Sequence, residues 1–228
     1  MRKMPRHLGF LIVALAITGV APQAHAADDP PATDAVTASS THSTPTSRWT
    51  YDFESSYAFW NIQNPFWLLA GQRGQANDPK NPWNYHLNSY LFGGRYDLTN
   101  VGGWGFLRGY WQTSVGLIAA DILQGPEHYY AGVIGGLRYL FVPGEGTWLP
   151  YVEFREGVGA TDASHRYFGQ QADISFMYLF GAGVCYQVDP RWRVSLGIVD
   201  QHMSDGYLTK VNYGFDSAGF NVTVEWRR

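Results

Sequence analysis

The chain has 228 residues, 45% hydrophobic, 16% aromatic and only 15% charged, with a formal net charge of −3 and one cysteine. That balance leaves no basic footprint for nucleic acid, and a single cysteine rules out a disulfide scaffold and a Cys-based zinc site. Soluble domains carry about 25% charged residues, so the deficit, with 15 Tyr, 13 Phe and 9 Trp beside 26 Gly, points to an aromatic-rich β-protein of the membrane type.

Residues 1–26 read as a secretory signal peptide. Arg2, Lys3 and Arg6 supply the positive start, Leu8 to Val20 is a largely apolar run, and Ala24-His25-Ala26 fits the small-x-small cleavage pattern. The run is shorter than the roughly 20 apolar residues that a spanning helix needs. Residues 27–48 read as a disordered periplasmic lead-in. The stretch 27–47 holds nine Ser or Thr, three Pro and no aromatic. It cannot bury enough apolar surface to offset the entropy of ordering.

From residue 49 onward the composition changes, and period-two alternation recurs in pieces long enough for a tilted membrane strand. The alternation predicts strands over 49–62, 84–97, 104–118, 129–142, 148–160, 172–187, 191–204 and 215–227. No segment offers the long apolar run of a transmembrane helix. Eight strands and both chain ends on one side describe an all-β, antiparallel, up-and-down transmembrane barrel over 49–228. The connections 98–103, 143–147 and 188–190 read as short periplasmic turns. Those over 63–83, 119–128, 161–171 and 205–214 read as longer external loops.

The sixth strand shows which face meets lipid. Ile174, Phe176, Tyr178, Phe180, Ala182, Val184 and Tyr186 share one face, and Asp173, Ser175, Gly181, Gly183, Cys185 and Gln187 share the other, with Met177 and Leu179 as apolar exceptions. A soluble barrel puts large apolar groups inside, whereas a small membrane barrel puts them outside. Charges follow the second pattern, with Arg108 and Gln112 opposite Leu107, Trp111 and Val115, and with Glu153 and Arg155 opposite Val152 and Phe154. The lumen is therefore expected to hold mainly Arg, Glu, Tyr and Gln.

Of the seven histidines, His202 stands apart. His86, His128 and His165 lie in or beside loops without evident Ser and carboxylate partners. On the seventh strand, Trp192, Val194, Leu196, Ile198, Asp200, His202 and Ser204 share the lipid face. A register that sets Trp192 against Trp226 and Leu196 against Val222 also sets Arg193 against Glu225 inside, and His202 against Asp216 outside. A slip of one residue breaks every one of these matches. Ser204, His202 and Asp216 then meet at the outer end of the wall, as nucleophile, base and orienting acid. Polar groups facing lipid are costly, and an ester-containing lipid substrate gives them a reason.

The stretch His202-Met-Ser204-Asp-Gly206-Tyr-Leu208, followed by Asn212-Tyr-Gly214-Phe-Asp216-Ser217, resembles the lipid A 3-O-deacylase family, the PagL type. Its pattern is H-x-S-N, a glycine, an aliphatic residue, then N-x-G-x-E-S. The resemblance implies an eight-stranded outer-membrane barrel that removes the 3-O-linked acyl chain of lipid A in the outer leaflet. It implies Ser204 as nucleophile, His202 as general base and acid, and Asp216 as the acid. It also implies oxyanion donors at Asp205 and Gly206 and a bracing Asn212, with no metal or organic cofactor. Two positions depart from the family, which has Asn at Asp205 and Glu at Asp216. A charged Asp205 side chain near the oxyanion would oppose the reaction. Two other readings compete: a lipid A palmitoyltransferase that holds an acyl chain inside the barrel, and a non-enzymatic structural or adhesive barrel.

Overall fold

The computed structural model describes residues 47–60, 85–144, 146–165, 172–209 and 214–228. The expected leader, nearly all of the lead-in, Asn212 and the whole of the first outer connection lie outside them. Eight strands form: β1 (Trp49–Trp60), β2 (His86–Asp97), β3 (Gly109–Gln124), β4 (Tyr129–Phe141), β5 (Trp148–Thr161), β6 (Ile174–Gln187), β7 (Trp192–Ser204) and β8 (Phe215–Arg227). Each pairs antiparallel with its neighbour in sequence, and β8 returns to β1, so the sheet closes without an edge. Among the described residues no helix is long and apolar enough to cross a membrane.

Seven strands fall within two residues of their expected limits, and β3 does not. Its expected start, 104–108, instead forms a one-turn 3-10 helix at Gly105–Leu107. Gly103 and Gly105 have φ of 87° and 57°, values that break an extended run. Arg108 is consequently exposed in the turn and donates to the Val142 carbonyl at 3.2 Å, rather than facing the lumen. At its other end β3 continues through Ala119, Ala120 and Asp121, which pair with β2 and β4. The outer connection expected over 119–128 thus shrinks to 125–128, and the opposite connection lengthens to 98–108. Ala119 and Ala120 carry little alternation signal, and the ladder on both sides decides their conformation.

Large apolar groups face outward. Phe92, Val115, Leu117, Leu196 and Ile198 are all at least 60% exposed, while Arg95, Arg138 and Arg155 are at most 2% exposed. The lumen is charged at mid-height. Arg95 pairs with Asp52 at 2.8 Å and Glu153 at 3.0 Å, Arg155 with Glu54 and Glu153 at 2.6 Å each, and Glu225 with Arg138 and, at 3.8 Å, Arg193. The polar lumen expected from sequence holds there and in smaller sets, such as Gln201 between Ser56 and Ser89 and Gln112 against Asp97, but apolar groups share the rest. Above the charged belt, Leu87, Ile118, Ile122, Met177, Met203 and Phe215 belong to an apolar cluster. Below it, Leu140, Leu149, Tyr151 and Cys185 belong to another. Both ends are thus sealed by side chains, as an eight-stranded barrel permits.

Candidate active site

The β7–β8 register is the one the sequence demands. Trp192 lies opposite Trp226, Leu196 opposite Val222, Arg193 opposite Glu225 and His202 opposite Asp216. Apolar matches on the outer face and the ion pair on the inner face leave one alignment. It delivers the imidazole to the carboxylate: His202 Nδ1 and Asp216 Oδ1 are 2.8 Å apart. Asp216 is shorter than glutamate and still reaches, because directly opposed strand residues bring their Cβ atoms to within about 5.5 Å. Ser204 ends β7 on the same outer face and is 7% exposed.

Gly214 supplies the remaining constraint. A Cβ there would lie 3.1 Å from His202 Cε1, 3.5 Å from His202 Nε2 and 3.4 Å from Ser204 Cβ. The imidazole edge and the serine therefore border one small volume, and a glycine keeps it open. Alternation does not mark Gly214, and the resemblance sets a glycine there without giving its reason.

The loop after Ser204 is a tight turn. The Leu208 N–H donates to the Asp205 carbonyl at 3.0 Å, with Gly206 and Tyr207 at φ of 61° and 64°. Both central residues have positive φ, as a type I′ turn requires. The Asp205 carboxylate organises it, accepting from the Tyr207 N–H at 2.9 Å, the Thr209 N–H at 3.3 Å and the Thr209 hydroxyl at 2.5 Å. Asp205 is fully buried. The carboxylate thus spends its hydrogen bonds within its own loop. At Gly206 a Cβ would meet the Phe176 ring at 2.9 Å, so this position needs glycine for both φ and space.

The start of β8 is clamped from inside. The Phe215 ring stacks on Tyr85, and the Ser217 hydroxyl donates to the Tyr85 carbonyl at 3.0 Å. The Tyr85 hydroxyl is bonded to the buried Glu127, and burial together with that carboxylate pushes the phenol above its usual range. Asp216 lies between the two clamped residues. On the other side of His202 the outer wall continues through Tyr178, whose ring centroid is 5.9 Å from the imidazole, to Glu156. His128, given no partner from sequence, pairs with Asp162 at 3.0 Å on the exposed rim.

A closed antiparallel barrel of eight strands, charged within and apolar without, is an outer-membrane barrel of the smallest kind. Within that class the chain belongs to the lipid A 3-O-deacylase (PagL) family, whose model matches residues 83–225. The match spans β2 to β8 and includes Ser204, His202 and Asp216. Among solved structures, the crystal structure of the outer membrane enzyme PagL has the same fold, with a TM-score of 0.51 at 15% identity over 76% of this chain and 97% of that one. No curated protein sequence matches the chain.

Proposed function

We propose that this protein is an outer-membrane esterase that removes the 3-O-linked acyl chain of lipid A. Family membership supports the substrate and reaction, and the 2.8 Å His202–Asp216 contact on the outer wall beside Ser204 carries the mechanism. Lipid A arrives laterally in the outer leaflet, and its chain lies along Ile198 and Phe220, which are 60% and 52% exposed. His202 takes the Ser204 proton, and the serine oxygen attacks the ester carbonyl. Asp216 holds the tautomer and stabilises the imidazolium. Backbone N–H groups at Asp205 and Gly206 meet the oxyanion, and Asn212 braces their loop. His202 returns that proton to the lipid A 3-oxygen as the ester C–O bond breaks, leaving the acyl group on Ser204, and water then hydrolyses that ester to release a 3-hydroxy fatty acid. The sealed lumen offers no slot for an acyl chain, which favours this reading over a palmitoyltransferase. An export leader over 1–26, a lead-in over 27–48 and a barrel over 49–228 complete the proposed organisation.

The test is the mass of lipid A from outer membranes containing the parent protein, Ser204→Ala or His202→Asn. The parent removes one hydroxyacyl chain, and each variant lowers that by at least about 10³-fold while the barrel remains heat-modifiable. Parental deacylation by Ser204→Ala would eliminate the mechanism. A gain of an acyl chain would favour the palmitoyltransferase, and an unaltered lipid A profile the non-enzymatic barrel.

A further inference from the structure

The first residues of β8 are held by a ladder on one edge. On the β7 side Phe215, Asp216 and Ser217 pair with Met203, His202 and Gln201. On the β1 side the ladder among the described residues begins only at Ala218, opposite Trp60. A strand end paired on one edge opens easily, yet the 2.8 Å contact between Asp216 and His202 needs this one fixed. Tyr85 supplies the fixing from inside. It lies just before β2 and is buried. Its ring stacks on Phe215 and its carbonyl accepts from the Ser217 hydroxyl at 3.0 Å, so both chain neighbours of Asp216 end on one residue. Tyr85 is held in turn by the short 125–128 connection between β3 and β4. Its phenol, kept protonated by burial, donates to the fully buried Glu127, and a Cβ on Gly125 would lie 2.6 Å from its ring.

We infer that Tyr85, secured by Glu127, is a positioning residue that holds Asp216 against His202 from within the barrel. Packing by itself does not call for the polar pair. Tyr85 and Phe215 belong to an apolar cluster with Leu87, Ile122 and Met203, which a phenylalanine at 85 would fill as well. Replacing both members of a buried hydrogen-bonded pair by apolar groups of the same shape is nearly neutral for stability. What the pair adds is direction, because a satisfied buried network fixes one arrangement where apolar contacts allow several. The Tyr85 ring is tied at its hydroxyl end to Glu127, and its face and backbone are tied to β8. The line of contacts therefore runs from the 125–128 connection through the lumen to the outer wall. Tyr85 touches no substrate and exchanges no proton. Its effect on turnover rests on the deacylase reading, whereas its hold on the His202–Asp216 pair does not.

The experiment records the His202 Nδ1–H resonance by NMR of histidine-labelled protein in micelles, identified by its loss in His202→Asn. That proton reports the hydrogen bond to Asp216 whether or not the protein turns over. Tyr85→Phe keeps the ring and loses the hydroxyl, and the resonance broadens and moves upfield. Glu127→Gln keeps an acceptor for the phenol and leaves the resonance near its parental position. In turnover Tyr85→Phe lowers kcat about tenfold with KM within about twofold, because the lipid-binding wall is untouched and only the alignment of the acid is lost. A parental resonance in both Tyr85→Phe and Glu127→Leu overturns the assignment. So does loss of the heat-modifiable barrel in both, which would make the pair a folding requirement. Absence of fatty-acid release by the parent sinks the deacylase reading instead, and the resonance judges Tyr85 independently of it.

Discussion

At the scale of single residues, the site depends on what is missing as much as on what is present. Gly214 has no side chain, and the space a Cβ would take is bordered by the His202 ring at 3.1 Å and Ser204 Cβ at 3.4 Å. Contacts this tight force the imidazole or the serine to move by a few tenths of an ångström. Catalysis responds steeply to such displacements. Gly214→Ala is expected to lower kcat about 10- to 100-fold while the barrel stays heat-modifiable, as read by lipid A mass against time; undiminished turnover would show that the ring tolerates the methyl group. Asp205 shows the converse. As a residue type it looked hostile to an oxyanion, and its buried carboxylate instead accepts hydrogen bonds from the Tyr207 and Thr209 backbone N–H groups.

At the scale of elements, the site is a product of strand register. Ser204 and His202 come from the end of β7, Asp216 from the start of β8, and the same alignment places Leu196 against Val222 about 20 Å further along the strands. The apolar and charged pairs along the hairpin therefore position the polar ones at its tip. β8 is fixed on its other edge by the seam with β1, where a register shift falls between Ala58 and Trp60. There the backbones approach so closely that a Cβ on Gly219 would lie 1.8 Å from the Tyr57 carbonyl oxygen. Backbone atoms cannot give way as a flexible side chain can. Gly219→Ala is expected to leave most of the protein unable to close, seen as loss of the fast-migrating unheated band on gels. A normal folded yield would mean the seam has slack.

At the scale of the whole molecule, an outer apolar surface and an inner ionic belt divide the work. Lipid solvates the outer wall, so the specific interactions that hold the cylinder are drawn from inside. Arg155 bridges Glu54 and Glu153 at 2.6 Å each, both nearly fully buried. Removing one member of such a network leaves charge without compensation, at about 3–5 kcal/mol. Arg155→Ala would leave Glu54 a 4.0 Å contact to Arg95 and a neutral hydrogen bond from the Thr223 hydroxyl at 3.2 Å. The urea midpoint of the refolded protein in micelles should fall accordingly, and an unchanged midpoint would show that water replaces the guanidinium. The apolar clusters at both ends of the lumen make the molecule a solid wall, so its chemistry is expected on the outside.

Strand number, the face toward lipid and the β7–β8 register were legible in the chain itself. Each rests on period-two alternation, and a one-residue error turns every side chain to the wrong solvent. The His202–Asp216 pairing followed from that register alone. The limits of β3 were not legible, because Ala119 and Ala120 carry no alternation and only the flanking strands hold them extended. The apolar seal above the charged belt needed closure, since the cluster that forms it draws residues such as Leu87, Ile118, Met177 and Phe215 from different strands. The carboxylate of Asp205 turned into its own loop, the opening at Gly214 and the Tyr85 clamp behind Asp216 likewise depend on distances across strands. Alternation assigns a residue to a face of the wall, and only the closed barrel decides what it meets there.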